Sequence, residues 1–472
     1  MIDSSAPEFL QTANKFGIKL GLDRMQTLMS KLGHPEKELS AVHIGGTNGK
    51  GSVSAFCASV LAADGKKVGL YTSPFLERFS ERIRIINGRE GLLSWEKNDR
   101  EGEIDPASLS RLSDLVESKV GEMLKEGEEH PTEFELVTAV AFLYFKEQKC
   151  DIVVLEVGLG GRLDSTNVIE KPEVAIITAL GYDHTDRLGN TLSEIATEKG
   201  GIIKPGCPVF AMDTHQADVK PEEAEAAEET LRAIAKERSA PITFVPNGTA
   251  KLLRSDLSGQ TILFEEKEYE MAMHGGYQLT NVSLALSAME GLVSEEARTF
   301  GIAHTHWKGR LEVVSKEPPI ILDGAHNPQG ITSFLDFLDE MPELQKQPPC
   351  EIIMGVMADK DVEKMLGLLI GRWRVLLGRA TFVTPNQKRA MPSKDLKNLC
   401  AQVLEKSPAF YNSNACMYNA KEKLNAIDDA ETACVEAVRR AKKNRSPLYV
   451  IGSLYLLGEV REAILRELEK EE

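Results

Sequence analysis

Apolar positions along this chain alternate between short β-branched runs and longer stretches with a helical period. After an N-terminal helical stretch, Ala41 to Gly45 reads as a buried strand, followed by a glycine-rich turn and a helical run from about Val53 to Asp64. Lys67 to Tyr71, Asp151 to Val157, Val174 to Ala179 and Pro208 to Ala211 are further strand-like runs, and helical patterns such as Thr132 to Glu147 separate some of them. This alternation predicts an α/β fold with a parallel, doubly wound sheet. Ile262 to Phe264 and Tyr269 to Met273 read as a hairpin at the edge of that domain. Pro221 to Glu237, rich in Ala and Glu with apolar residues at helical spacing, reads as a solvated surface helix. From Pro319 the pattern restarts, with strand-like Ile320 to Leu322, Glu351 to Gly355, Thr381 to Thr384 and Leu448 to Ile451 and helices between them. Two domains are therefore expected, 1–298 and 299–472. Arg89 to Pro131 is charged and weakly patterned at its start, and reads as an elaborated surface loop with one helix.

Composition narrows the class. At roughly 100–200 residues per domain, 472 residues fit two large domains, and 42% hydrophobic with 27% charged residues marks an ordinary globular protein. The apolar stretch from Leu136 to Phe145 is far short of the roughly 20 residues that span a bilayer. The start, Met1 to Ser5, has no basic segment followed by an apolar one, so a cytoplasmic protein is expected. Seven cysteines, an odd number with no C-x-x-C, disfavour both a disulfide framework and a zinc site. Seventy-two acidic against 56 basic residues leave a net charge of −16, which opposes broad contact with nucleic acid or an anionic membrane. A monomer is the expected state.

The string Gly45 to Ser52, GGTNGKGS, lies between the first strand and its helix, where a phosphate-cradling loop belongs. Its glycines let backbone N–H groups turn inward around phosphate oxygens, the helix N-terminus adds positive potential, Lys50 reaches the outer phosphates and a hydroxyl can hold magnesium. The strict G-x-x-x-x-G-K-[ST] pattern fails, because Ile44 occupies the first glycine position and Gly51 displaces the hydroxyl to Ser52. The loop alone leaves ATPase, GTPase, kinase and ligase open, beside the plainer reading of a glycine-rich turn with an incidental lysine.

Gly46 to Ser52, GTNGKGS, resembles the nucleotide loop of folylpolyglutamate synthases and dihydrofolate synthases, members of the Mur ligase family. Other landmarks of that family follow in order: Thr72 to Leu76 (TSPFL), Glu81 to Ile83 near Asn87 and Gly88, Glu156 to Asn167 (EVGLGGRLDSTN), Asp183 to Gly189 (DHTDRLG), Glu198 and Lys199 before GIIKPG, Arg310 in WKGRLE, and Asp323 to Pro328 (DGAHNP). The resemblance spans residues 15 to 461, with three departures: Gly200 where the family usually has alanine, an additional isoleucine at 85 or 86, and an apparent insertion from Arg89 to Pro131.

The resemblance implies an N-terminal P-loop ATPase-like domain that carries the folate site, and a smaller Rossmann-like C-terminal domain. It implies ATP-dependent joining of L-glutamate to the γ-carboxylate of tetrahydrofolate through an acyl phosphate. Dihydrofolate synthase, which joins glutamate to dihydropteroate, is the alternative within the family, alone or beside polyglutamylation. A P-loop NTPase switch without ligase activity is the more distant reading, although no guanine-reading N-K-x-D set follows the loop.

By the same resemblance, Gly46, Thr47, Asn48, Gly49, Lys50, Gly51 and Ser52 cradle ATP, with Asn281 at the adenine, Arg310 at the phosphates, and Asp323 and His326 closing from the second domain. Ser52, Ser73, Glu156 and His184 match magnesium ligands. Lys50, His184 and Lys199 are the implied catalytic groups, Lys199 as a carbamate. Arg24, Phe134, Leu163, Asp164 and Ser165 match folate contacts. By residue type alone, Lys199 reads as a surface lysine on a helix, Asn281 as a helix cap, His184 as a loop-fixing histidine and Phe134 as a core aromatic.

Overall fold

The computed structural model describes residues 6–17, 19–215, 219–345, 347, 349–373, 377–406 and 421–470. Its larger sheet has seven strands in the order β3 (Ile83–Asn87), β2 (Lys67–Tyr71), β4 (Ile152–Glu156), β1 (Ala41–Gly45), β5 (Val174–Ile177), β6 (Val209–Met212) and β7 (Ile242–Val245). All neighbours are parallel except β2 and β3. Side chains alternate across a strand, so each strand supplies two cores. Ile152 and Val154 face the helices Lys50–Ala63 and Gly276–Met289, while Val153 and Leu155 face Pro106–Lys125 and Glu133–Glu147. Both faces are apolar because both are covered, as parallel sheets require.

A six-stranded sheet follows, in the order β11 (Glu312–Lys316), β12 (Pro319–Asp323), β16 (Leu448–Ile451), β13 (Cys350–Met354), β14 (Leu377–Phe382) and β15 (Leu424–Ala426). Only β11 and β12 pair antiparallel. The molecule is thus an α/β protein with two doubly wound sheets. The hairpin expected at the edge of the first sheet is instead part of a separate antiparallel sheet of β8 (Lys251–Asp256), β9 (Gly259–Phe264) and β10 (Lys267–Met271). Its Ile262, Phe264, Tyr269 and Met271 pack into the core beneath the helix Lys50–Ala63.

The stretch 89–131 is not a surface loop with one helix. It holds two helices, Gly88–Lys97 and Pro106–Lys125, the second begun by Asp105, whose side chain accepts from Ser108 N–H. Leu109, Leu112, Val116, Val120 and Met123 recur every three or four residues on its buried face. The charged residues that obscured the pattern occupy the wet face. The additional isoleucine is absorbed as strand length, since β2 and β3 pair without a bulge from Lys67 opposite Asn87 to Tyr71 opposite Ile83. At Gly200 a Cβ would meet Ile234 Cδ1 at 2.8 Å, so the glycine lets two helices pack closely.

The two sheets meet across buried charges. Arg461, on the C-terminal helix Leu454–Glu469, pairs with Asp99 at 2.7 Å, Glu312 at 2.6 Å and Glu77 at 3.3 Å, while Lys308 reaches Glu77 at 3.0 Å. Cys57, Cys207, Cys350, Cys400 and Cys434 are buried free thiols and Cys150 is half-buried; Cys416 lies outside the described residues. No helix among the described residues is long and apolar enough to cross a membrane.

Candidate active site

β1 ends in the glycine string, and the helix after it starts at Lys50, three residues earlier than its apolar pattern indicates. Gly49 caps that helix with φ +90°, a left-handed conformation that glycine adopts without cost. Lys50, Gly51 and Ser52 therefore form the first turn, where backbone N–H groups lack intrahelical partners and favour an anion. Close approach also requires these glycines: a Cβ on Gly46 would collide with Thr178, one on Gly49 with Asn281 Oδ1, and one on Gly51 would lie 3.0 Å from Trp307 Nε1. Thr47 N–H donates to Ala179 O at 2.8 Å and ties the loop to the end of β5. Lys50 Nζ turns back on its own loop, donating to Gly46 O at 3.1 Å and Thr47 O at 3.2 Å, which leaves its charge at the mouth of the cradle. Ser52 is buried and accepts from Gln278 Nε2 at 3.2 Å.

Glu156 ends β4 beside this loop, and its Oε2 accepts from Ser73 N–H at 3.0 Å. Burial pushes its carboxyl up to about 7, outweighing the opposing pull of Lys50, the Ser73 N–H and Arg310. A buried carboxylate in this state is short of cationic charge. Oxygen donors from Glu156, Ser73 and Ser52 suit magnesium, which keeps several waters and takes few protein ligands. Among the described residues, no group of three or more His, Cys, Asp or Glu that could hold a metal ion comes together. His184 shares the cleft beside Ser73 but is half exposed, with φ 50° and its Nε2 3.7 Å from Asp183.

Lys199 departs from the surface lysine that its residue type suggests. It is 3% exposed and donates to Gly46 O at 2.8 Å. Burial, followed by the nearby Lys50 charge, lowers its amine to about 7, so a substantial neutral fraction exists at neutral pH. Asn281 is no cap either: it lies inside the helix Gly276–Met289, where its Nδ2 donates to Gln278 Oε1 at 2.8 Å.

From the second sheet, Asp323 at the end of β12 accepts from Leu311 N–H at 2.8 Å and Ala325 N–H at 2.9 Å. It thereby pins the turn that carries Arg310. Burial raises the Asp323 carboxyl to about 6 against the charge of Arg310. His326 Nδ1 lies 2.8 Å from Gly324 O and so carries the proton, leaving Nε2 as its acceptor.

Next to the phosphate loop opens a cleft of ≈ 570 Å³. Phe134, Leu163, Asp164 and Ser165 line it together with Ser73 and His184. Arg24 does not; its guanidinium forks onto Glu135 at 3.1 and 3.2 Å and supports the wall from behind. Asp164 is spent on its own turn, with Oδ2 accepting from the N–H groups of Gly158 and Leu159 and Oδ1 from Thr166. Phe134 fits because Gly158 has no Cβ to obstruct its ring.

Several lining groups escape the sequence reading. Arg82 is buried, pairs with Glu133 and lies 5.5 Å from the rings of both Phe79 and Phe134. Its place in the family landmark Glu81 to Ile83 is the one signal that could have singled it out. Trp307 at the phosphate loop stands within WKGRLE but was not singled out there, while Thr178 at the same loop and Tyr455, reaching the cleft from the C-terminal domain, carry no local pattern at all.

Residues 109–289 match the Mur ligase middle domain, and residues 308–466 match the dihydrofolate synthetase C-terminal domain. The chain is 34% identical over 469 residues to the dihydrofolate synthase/folylpolyglutamate synthase of Bacillus subtilis, covering 95% of this chain and 96% of that protein. The crystal structure of folylpolyglutamate synthase from Thermotoga maritima aligns with a TM-score of 0.75 at 29% identity, over 97% of this chain and 96% of that one. Escherichia coli FolC in complex with DHPP and ADP aligns with a TM-score of 0.74 at 25% identity, over 99% and 100%. With its phosphate loop, its adjoining cleft and its second α/β domain, this chain belongs to the folylpolyglutamate synthase/dihydrofolate synthase family of Mur ligases, which are ATP-dependent ligases.

Proposed function

We propose that this protein joins L-glutamate to the γ-carboxylate of tetrahydrofolate at the expense of ATP, and joins glutamate to dihydropteroate in the same cleft. One observation carries the reading: Ser73 lines the cleft while its N–H holds Glu156, whose carboxyl lies within the field of Lys50. The end of the cleft thus adjoins the place where a γ-phosphate would rest, so an acceptor carboxylate and a phosphoryl group can meet there. The second activity draws support from the match to FolC, whose complex holds DHPP and ADP.

Joining a carboxylate to an amine in water is uphill, so the carboxylate must first be activated. Its oxygen attacks the γ-phosphorus of ATP and ADP leaves, giving an acyl phosphate; the amine of glutamate then attacks the carbonyl and phosphate departs. Catalysis is mostly positioning and neutralisation of crowded negative oxygens. The first-turn N–H groups and Lys50 hold the phosphates, and Asp323 steadies the turn that presents Arg310. Ser52, Ser73, Glu156 and His184 would hold magnesium, which when bound supplies compact positive charge to the phosphoryl oxygens. Lys199, with its depressed amine, would react with carbon dioxide as R–NH2 + CO2 → R–NHCOO⁻ + H⁺, replacing a cation beside Gly46 and Lys50 by an anion. Both walls of the cleft come from one chain, which supports a monomer as the active unit.

Purified protein with ATP, magnesium and glutamate, offered tetrahydrofolate or dihydropteroate, tests the proposal by mass spectrometry. Each acceptor should gain glutamyl residues in step with ADP. Phosphate release indifferent to acceptor and to glutamate would replace the ligase by a nucleotide switch.

A further inference from the structure

We infer that His43 is a positioning residue for the acceptor: from the centre of β1 it holds, through Thr166 and Asp164, the turn that forms one wall of the cleft. The inference rests on the proposed function, since it takes the cleft as the acceptor site.

His43 is fully buried, paired in register with Leu155 on one side and Ala175 on the other. Its Nε2 lies 2.9 Å from Thr166 Oγ1, and Thr166 Oγ1 lies 2.6 Å from Asp164 Oδ1. Asp164 Oδ1 also accepts from Thr166 N–H at 3.0 Å, while Oδ2 accepts from Gly158 N–H at 3.1 Å and Leu159 N–H at 2.9 Å. The directions of these bonds follow from chemistry. A carboxylate surrounded by donors only accepts, so the threonine hydroxyl donates to Asp164 and accepts from His43. His43 therefore carries its proton on Nε2, and its Nδ1 is left bare and buried with no partner among the described residues.

That bare nitrogen is the informative feature. A valine or isoleucine at the middle of a parallel strand would pack without any unpaired polar atom, and an orphaned buried acceptor is costly. The histidine gains one thing in return, a fixed donor to Thr166. The chain of bonds it begins ends on Gly158 and Leu159, which line the cleft, and Gly158 leaves the space into which Phe134 fits. Two residues beyond His43, the same strand becomes Gly45 and Gly46 of the phosphate loop. One rigid strand thus carries the phosphate cradle and braces the acceptor wall, so the separation of carboxylate and phosphate is fixed by β1.

Three variants test this: His43→Leu, which removes the donor; Thr166→Val, which removes the relay; and His43→Gln, which places an amide N–H near the position of Nε2. Steady-state kinetics give KM for each substrate, and calorimetry with tetrahydrofolate alone gives acceptor affinity without turnover. His43→Leu and Thr166→Val should each weaken tetrahydrofolate binding and raise its KM about tenfold, with KM for ATP within about twofold of wild type. His43→Gln should recover most of the loss, and the Leu/Val double variant should be no worse than either single one. If His43→Leu does not fold, Thr166→Val decides. Unchanged acceptor affinity, or KM for ATP rising in parallel, overturns the inference. Failure of the wild type to ligate would overturn the proposed function instead, while the calorimetric comparison still tests His43.

Discussion

The phosphate loop and the acceptor cleft adjoin at Ser73 and Glu156, yet they are built on opposite plans. The loop is one contiguous string whose working parts are backbone N–H groups, shaped by glycines that tolerate Thr178, Asn281 and Trp307 at close range. The cleft is assembled from side chains far apart in sequence, among them Phe79, Arg82, Glu133, Phe134 and Tyr455, and held in shape by buried relays. Besides the bonds of Asp164, Thr138 Oγ1 links Tyr71 OH and Ser165 Oγ at 3.0 Å each. A backbone site tolerates little change within its string. A side-chain site tolerates loss at one position but shifts its preference.

The largest effect should come from Lys50→Ala, which removes the cation at the cradle. Turnover should fall by about a hundredfold to a thousandfold, while calorimetric affinity for tetrahydrofolate stays at the wild-type value. If acceptor affinity collapses as well, the two sites are not separate in construction. Lys199→Ala comes next: loss of the proposed carbamate should leave the enzyme nearly inactive, and acetate in the assay should restore part of the rate. Rates that stay at the wild-type level would remove Lys199 from the chemistry.

Arg82→Met probes the other plan. Glu133 loses its partner and the guanidinium leaves the Phe79 and Phe134 rings, so KM for the acceptor should rise about tenfold with little change in KM for ATP. A change confined to ATP would reverse the assignment of the cleft.

The smallest effect concerns the strand that joins both regions. Burial, assisted by the charge of Lys204, lowers His43 from 6.5 to about 3. Between those values the unfolded chain binds a proton that the folded chain refuses. Stability contributed by neutral His43 is therefore lost as pH falls from 6.5 toward 3, by up to about 1.4 kcal/mol per pH unit. His43→Gln has no such proton, so denaturant titrations should show the variant gaining on the wild type as pH drops from about 7 to about 5. A constant difference between them would mean that His43 is not held neutral.

What the sequence revealed follows the same division. β1, the loop and the inner strands of both sheets were legible because parallel strands buried on both faces read as apolar runs, and because phosphate binding needs glycine and lysine in a fixed order, whereas the edge strands β3, β7, β11 and β15 were missed. Lys199 reads as an ordinary helix lysine, since its burial depends on Gly46 O and on packing that no local pattern encodes. The helices Gly88–Lys97 and Pro106–Lys125 were obscured because their wet faces are densely charged and the turn between them places Asp99 against Arg461, a partner more than three hundred positions away. Arg82 lay within a recognised string, but its function depends on Glu133 and two aromatic rings that only folding brings together.

The proposed ligation depends on activation of an acceptor carboxylate in the cleft by the phosphate held at the loop. Its most direct test uses an acceptor whose γ-carboxylate carries heavy oxygen, turned over with ATP, magnesium and glutamate, followed by mass spectrometry of the released phosphate. One labelled oxygen is expected in each phosphate, because the acyl phosphate forms through a carboxylate oxygen that leaves with phosphorus. Phosphate free of label, released at the same rate as glutamylated product, would contradict it.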